Sequence, residues 1–341
     1  MSPAPSTHPP PLGDLMRAIR TVTVVAAALA LAACSAGADA GEAGSPTGGS
    51  GADSTTIKVG TLPIIEYAPL YIAEDQGYFE EAGLTVETQV MQNAAGIVPA
   101  VMNGQLQVGE AATIGYLNAR AQNLPVTGIA SAAITSKDAD SDFSGLFVAD
   151  ESITSLSDLE GKKVAVNALK AAMHAAAAQS IALDGGDPAN VEFISMPFPD
   201  MAAALERGDV DGVVVVEPFY TTLEKAGARN IGNLYTTALP AQATIGMFFA
   251  SDAWLKESPE DAKKFVEAIE KAGEYAAENP DAVRQVAVED LGMAEDVAAG
   301  MRLPGYGGQL TDDHLVATAQ VMVDLGFIPE APAAEGLTWR P

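Results

Sequence analysis

Ile57-Lys58-Val59-Gly60-Thr61-Leu62-Pro63-Ile64-Ile65-Glu66-Tyr67-Ala68-Pro69-Leu70-Tyr71-Ile72-Ala73-Glu74-Asp75 passes from a short apolar run into a longer amphipathic one. That spacing predicts a strand over 57–62 and a helix over 69–75. Outward from it the alternation continues: a helical turn at 78–82, a strand at 84–90, a helix at 96–103 and a strand at 108–112. A second unit follows Asp150, with strands over 163–166, 191–196 and 212–216 and helices over 171–183 and 200–207. Such alternation gives a mainly parallel sheet with helices on both faces, the α/β class. Ala100-Val101-Met102-Asn103-Gly104-Gln105-Leu106 and Ala204-Leu205-Glu206-Arg207-Gly208-Asp209-Val210 each end a helix on glycine and lead into a strand, where a left-handed cap is expected. Ser258-Pro259-Glu260-Asp261 starts a helix whose Ala262, Phe265, Val266, Ile269, Ala272 and Ala276 share one face, and Asn279-Pro280 stops it. The remainder through Phe327 reads as helical, with caps at Asp281 and Thr311.

A chain of 341 residues that is 48% hydrophobic buries a real core, which excludes wholesale disorder. Its net charge of -27, from 18 basic and 45 acidic side chains, repels phosphate backbones, so no nucleic-acid partner is expected. Arg17 and Arg20 ahead of the apolar run 21–33 read as an export signal too short to span a bilayer. The Pro-rich stretch before it makes Met16 an alternative start. Cys34 is the one cysteine, so no intramolecular disulfide forms. Ser35 to Thr55 has no large apolar residue and reads as a tether.

Leu31-Ala32-Ala33-Cys34 resembles the lipobox of bacterial lipoproteins, which implies cleavage before Cys34 and lipid on its sulfur. Three further passages carry a second resemblance. They are Gly60 to Pro63 running through Tyr67 to Ala73 into Gly77-Tyr78-Phe79-Glu80, then Ala204 to Asp211, then Val216-Glu217-Pro218-Phe219. Together they resemble the nitrate, sulfonate, taurine and thiamine-precursor binding proteins of ABC importers. The resemblance implies a two-lobed periplasmic-binding-protein fold of the second type with two crossover strands. Lobe one is expected over 56–148 plus 246–341 and lobe two over 149–245, with the crossings near Phe147 to Ala149 and Ile245 to Phe249. With the lipobox, it leads to the expectation of a monomer, lipid-anchored through Cys34 on the outer face of the cell membrane, that hands a small molecule to an importer's permease and uses no cofactor or metal.

Ligands of parallel sheets sit at the carboxyl ends of strands, beside helix N-termini. The ends on offer are Pro63 to Ala68, Asn93 to Gly96 (with Ala95) and Thr113 in one lobe, and Asn167 to Lys170, Phe198 to Asp200 and Glu217 to Phe219 in the other. Glu66 and Tyr67 suit a planar, amine-bearing ligand, or are a cap acid beside a half-buried tyrosine. Gly96 either lets a ligand approach the backbone or only starts a helix. Lys170 and His174, one helical turn apart, either meet an anion or are solvated. Glu217, after four valines, is either exposed in the cleft or ordered by local hydrogen bonds. With Glu66, Glu110 and Glu217 near strand ends and Lys170 the one cation among those loops, the expected ligand is neutral or amine-bearing, aminopyrimidine-like, ahead of a sulfonate, taurine or nitrate.

The rival class is an enzyme, because a pyrimidine synthase of thiamine biosynthesis is similar in fold. That family relies on a cysteine cluster and an active-site histidine. Here Cys34 is assigned to lipid, and His8, His174 and His314 are scattered, so no catalytic residue is expected.

Overall fold

Residues 54–91 and 96–340 are described by a computed structural model. The first sheet takes β1 (Thr55–Thr61), β2 (Leu84–Val90), β3 (Val108–Ala112), β4 (Val126–Ile134) and, much later in the chain, β10 (Thr244–Ser251), in the order β2-β1-β3-β10-β4. The second takes β5 (Ser144–Val148), β6 (Lys163–Val166), β7 (Glu192–Ser195), β8 (Gly212–Val216) and β9 (Arg229–Gly232), in the order β7-β6-β8-β5-β9. Helices α1 (Ala68–Asp75), α2 (Tyr78–Glu81), α3 (Ile97–Met102) and α4 (Thr113–Ala121) connect the first set. Helices α5 (Ala172–Leu183), α6 (Phe198–Arg207), α7 (Phe219–Lys225) and α8 (Leu234–Ala238) belong with the second. After β10 come α9 (Asp252–Glu257), α10 (Pro259–Glu278), α11 (Pro280–Glu289), α12 (Glu295–Gly300) and α13 (Asp312–Asp324).

The parallel strands behave as their composition requires. β1 runs parallel to β2 and β3, with Ile57 opposite Val86 and Val59 opposite Val108. Covered on both faces, β8 buries every residue from Gly212 to Val216, which is why it reads as an unbroken valine run. Gly104 and Gly208 hold φ of 76° and 71°, the left-handed caps expected of the repeated motif. On α10, the face from Ala262 to Ala276 is buried as expected, and Phe265 stacks on Phe79 at 5.4 Å while meeting Phe248 edge-on at 5.8 Å. Burying such a side chain contributes about 2–3 kcal/mol. Thr311 caps α13 by accepting from the His314 N–H, but Asp281 caps nothing: Asn279 occupies the cap position and Pro280 opens α11.

Two boundaries differ from the sequence reading. β1 begins at Thr55, one residue inside the expected tether. More consequentially, β5 pairs antiparallel with β8 and β9, so Ser144–Val148 lies in the second sheet and not with lobe one. The crossings are therefore residues 135–143 and 239–243, and β10 from Thr244 onward already pairs with β3 and β4. The two crossings are tied together: Thr135 N–H donates to the Ala243 carbonyl at 2.9 Å and its hydroxyl to Pro240 at 3.1 Å. Asp142, fully buried, accepts from Ser144 N–H and hydroxyl and from Thr236 N–H and hydroxyl at 2.7–2.9 Å.

Candidate functional site

The helices that follow β3 in the first sheet and β6 in the second begin beside one another. α4 starts at Thr113 directly from β3, and α5 starts at Ala172 after the loop that follows β6. Neither has a side-chain cap, because alanines stand at both cap positions, so N–H groups of both first turns have no side-chain acceptor. Thr113, Ile114 and Ala172 line a cavity there with Tyr235, Thr244 and Thr318. Its volume is about 10 Å³, room for a single water. Organic ligands occupy about 300 Å³ or more, so one enters only if the sheets move apart. A larger hollow of about 420 Å³ between Ala149–Asp150 and Leu205–Asp211 lies at the amino end of β8, where parallel sheets do not place ligands.

Glu66 lies in a single 3-10 turn, Ile65–Tyr67, at the end of β1 and is 5% exposed. Its Oε2 has no hydrogen-bond partner among the described residues. Burial pushes its carboxyl from the usual 4.5 up to about 7, opposed in part by its own backbone N–H. Tyr67 is buried beside it and packs edge-on against Phe248 at 6.1 Å. Thr113 donates its hydroxyl to the Thr244 carbonyl at 2.6 Å, which fixes the start of β10 on α4. The Oδ1 of Asn167 is also buried without a partner, while its carbonyl accepts from the Ser195 hydroxyl at 3.2 Å.

The other predicted residues have local duties. Glu110 accepts from the Thr61 hydroxyl at 2.7 Å and the Leu62 N–H at 2.6 Å. Glu217, fully buried, accepts from Thr221 N–H (3.0 Å), Thr221 hydroxyl (2.8 Å) and Arg302 N–H (3.0 Å). Burial raises its carboxyl, and those three bonds hold it down. Hydrogen bonding that orders the loop is thus what the structure assigns to Glu217. Phe219 stacks on Phe198 at 5.3 Å within the second sheet's helices. Gly96 is helical and only precedes α3. Lys170 is exposed at φ 59°; its N–H donates to His174 Nδ1 at 2.8 Å, and its carbonyl accepts from Asn118 on α4 at 3.0 Å. His174 sits between Phe193 and Phe327, where burial holds it down to about 4. Asn93, Ala95, Cys34, His8 and the expected signal and tether lie outside the described residues, apart from Ser54 and Thr55.

Sequence reasoning did not single out Tyr235, Thr244, Tyr306 or Arg302. Thr244 adjoined an expected crossing, the one signal available. Tyr306 donates its hydroxyl to the Ile65 carbonyl at 2.8 Å, bracing the turn that carries Glu66. Arg302 reaches back to α7, forming two 3.2 Å bonds to Glu224 with its guanidinium 4.1 Å over Tyr220, and Lys225 pairs with Asp296 at 2.6 Å.

Residues 64–283 match the NMT1/THI5-like family, and the chain belongs to it. It is 27% identical over 214 residues to the taurine-binding periplasmic protein of Escherichia coli K12, covering 62% of this chain and 64% of that one. It is 26% identical over 238 residues to the 4-amino-5-hydroxymethyl-2-methylpyrimidine phosphate synthase of Aspergillus parasiticus, covering 63% and 64%. The chain thus spans slightly less than two-thirds of the length of these relatives. The alkanesulfonate-binding protein SsuA of Xanthomonas axonopodis pv. citri, solved bound to MOPS, superposes with a TM-score of 0.71 at 17% identity, over 85% of this chain and all of that one. The fold is that of the two-lobed periplasmic binding proteins.

Proposed function

We propose that this member of the NMT1/THI5-like family is an extracytoplasmic solute-binding protein. It captures a small polar organic molecule between its two lobes and delivers it to the permease of an ABC importer. On this reading it works as a monomer without a cofactor, held at the outer face of the cell membrane by lipid on Cys34. The observation that carries the reading is the meeting of two uncapped helix N-termini, those of α4 and α5, at a cavity between strand ends of the two sheets. The tied crossings at 135–143 and 239–243 supply a hinge about which that cavity opens. The expected charge preference needs revision in its grounds, since Glu110 and Glu217 are satisfied within the protein and only Glu66 remains open. Open helix ends favour an acceptor group on the solute, and Glu66 favours a donor.

A thermal-shift screen of sulfonates, amino acids, nitrate and aminopyrimidines tests this, because a ligand at a hundredfold excess over Kd stabilises by about 2.7 kcal/mol. The solute should be recovered chemically unchanged, and small-angle scattering should show a smaller radius of gyration at saturation. Recovery of a converted product would sink the binding reading in favour of the synthase activity named for the fungal relative.

A further inference from the structure

We infer that Glu66 selects the solute: its carboxylate receives an N–H donor from an amine on the ligand, whose acceptor end lies at the first turns of α4 and α5. The inference rests on the solute-binding reading and narrows it to a class, short molecules with an amine at one end and a carboxylate, sulfonate or comparable acceptor at the other.

Three observations carry it. Among the buried polar atoms near the strand ends that lack partners among the described residues are Asn167 Oδ1, Glu66 Oε2 and Thr244 Oγ1, the last two in side chains 5% and 1% exposed. An open carboxylate oxygen in such a place is costly, and the fold avoids the cost at Glu110 and Glu217, which are as buried and fully bonded. Glu66 and the cavity are also adjacent along one strand. A Cβ on Gly246 would lie 3.4 Å from Glu66 Cβ and 3.4 Å from Tyr67 Cε1, and Thr244, two residues earlier, forms the cavity wall. Two residues of strand span about 7 Å, so a molecule a few bonds long reaches from the helix ends to the carboxylate. Finally, Tyr235 belongs to both places: it lines the cavity, and Glu66 is among the charges that hold its phenol up after burial.

The groups that feel Glu66 are Tyr67 on its own turn, Glu110 on β3, Tyr235 on α8 and Tyr306 ahead of α13. All are acids, so ionised Glu66 has no cation facing it from these elements until an amine arrives.

The test compares matched probes by calorimetry: taurine against ethanesulfonate, β-alanine against propionate, and 4-amino-5-hydroxymethyl-2-methylpyrimidine against its 4-methoxy counterpart. The amino member of at least one pair should bind at least tenfold tighter than its partner, and Glu66→Gln should remove that advantage. In the unmodified protein, affinity for taurine or β-alanine, where either binds, should rise about tenfold from pH 6 to pH 8, as Glu66 ionises through about 7. This arm needs no variant to fold. Equal binding within every pair that binds, unchanged in Glu66→Gln, overturns the inference and leaves the solute-binding reading standing. Binding of none of the probes at millimolar concentration overturns both for molecules of this size.

Discussion

Replacing Glu66 with Gln should change how stability depends on pH more than it changes stability itself. The carboxyl is raised from 4.5 to about 7, chiefly by burial. The folded chain therefore holds this proton more tightly than the unfolded chain does. Below pH 4.5 the group is protonated in both states and has no effect. As pH climbs from 4.5 through 7 the unfolded chain releases the proton first, and stability drains away, reaching a plateau above pH 7. At about 1.4 kcal/mol per tenfold, the full displacement is roughly 3 kcal/mol. Gln has the same shape and no proton to lose, so the variant should match the parent at pH 4.5 and exceed it by up to about 3 kcal/mol at pH 8. Urea unfolding across that range measures the difference directly. Raised acids that do not feel Glu66, Glu217 and Asp290 among them, slope both proteins alike and largely cancel in the subtraction. Parallel pH profiles for parent and variant would refute the argument that Glu66 is buried without a partner.

Glu217→Ala should cost about 3 kcal/mol in urea unfolding, because it strands the N–H groups of Thr221 and Arg302; a loss under 1 kcal/mol would return Glu217 to the cleft. Arg302→Ala removes the paired bonds to Glu224 and the contact over Tyr220, and is expected to speed ligand release a few-fold, by at most about 1 kcal/mol, with little change in the association rate. Unaltered release, measured by stopped flow, would show that this contact does not hold the lobes together. Cys34→Ser should move the protein out of the membrane fraction, and persistence in the detergent phase would contradict lipid anchoring.

Strands whose neighbours come from nearby sequence were legible from their own residues. β6 and β8 fall where the apolar runs put them, because a strand covered on both faces must be apolar throughout, while β2, at the sheet edge, shows instead as alternation of polar and apolar residues. β5 is as apolar as they are, yet its sheet was misassigned, since nothing in Ser144–Val148 names β8 and β9 as its partners. The site was legible as places and not as roles. Glu66, Glu110 and Glu217 look alike in sequence, and what separates them is a threonine 49 residues from one and a backbone N–H 85 residues from another. Tyr235 escaped notice because its helix is one short turn-rich segment whose burial comes wholly from tertiary packing.

The position of β10 bears on how the chain acquires its structure. Everything in the second sheet lies in one continuous stretch, 144–232, so that half can gather from contacts close along the chain. The first sheet cannot. β10 is the strand that joins β3 to β4, and until residue 244 has emerged, β2-β1-β3 and β4 are separate pieces with bare edges. Pairings so distant in sequence form slowly, and exposed edges invite foreign strands meanwhile. The order of synthesis and the order of completion are therefore opposed: the half begun first is finished last, and an interruption before β10 leaves the later half folded on an incomplete partner.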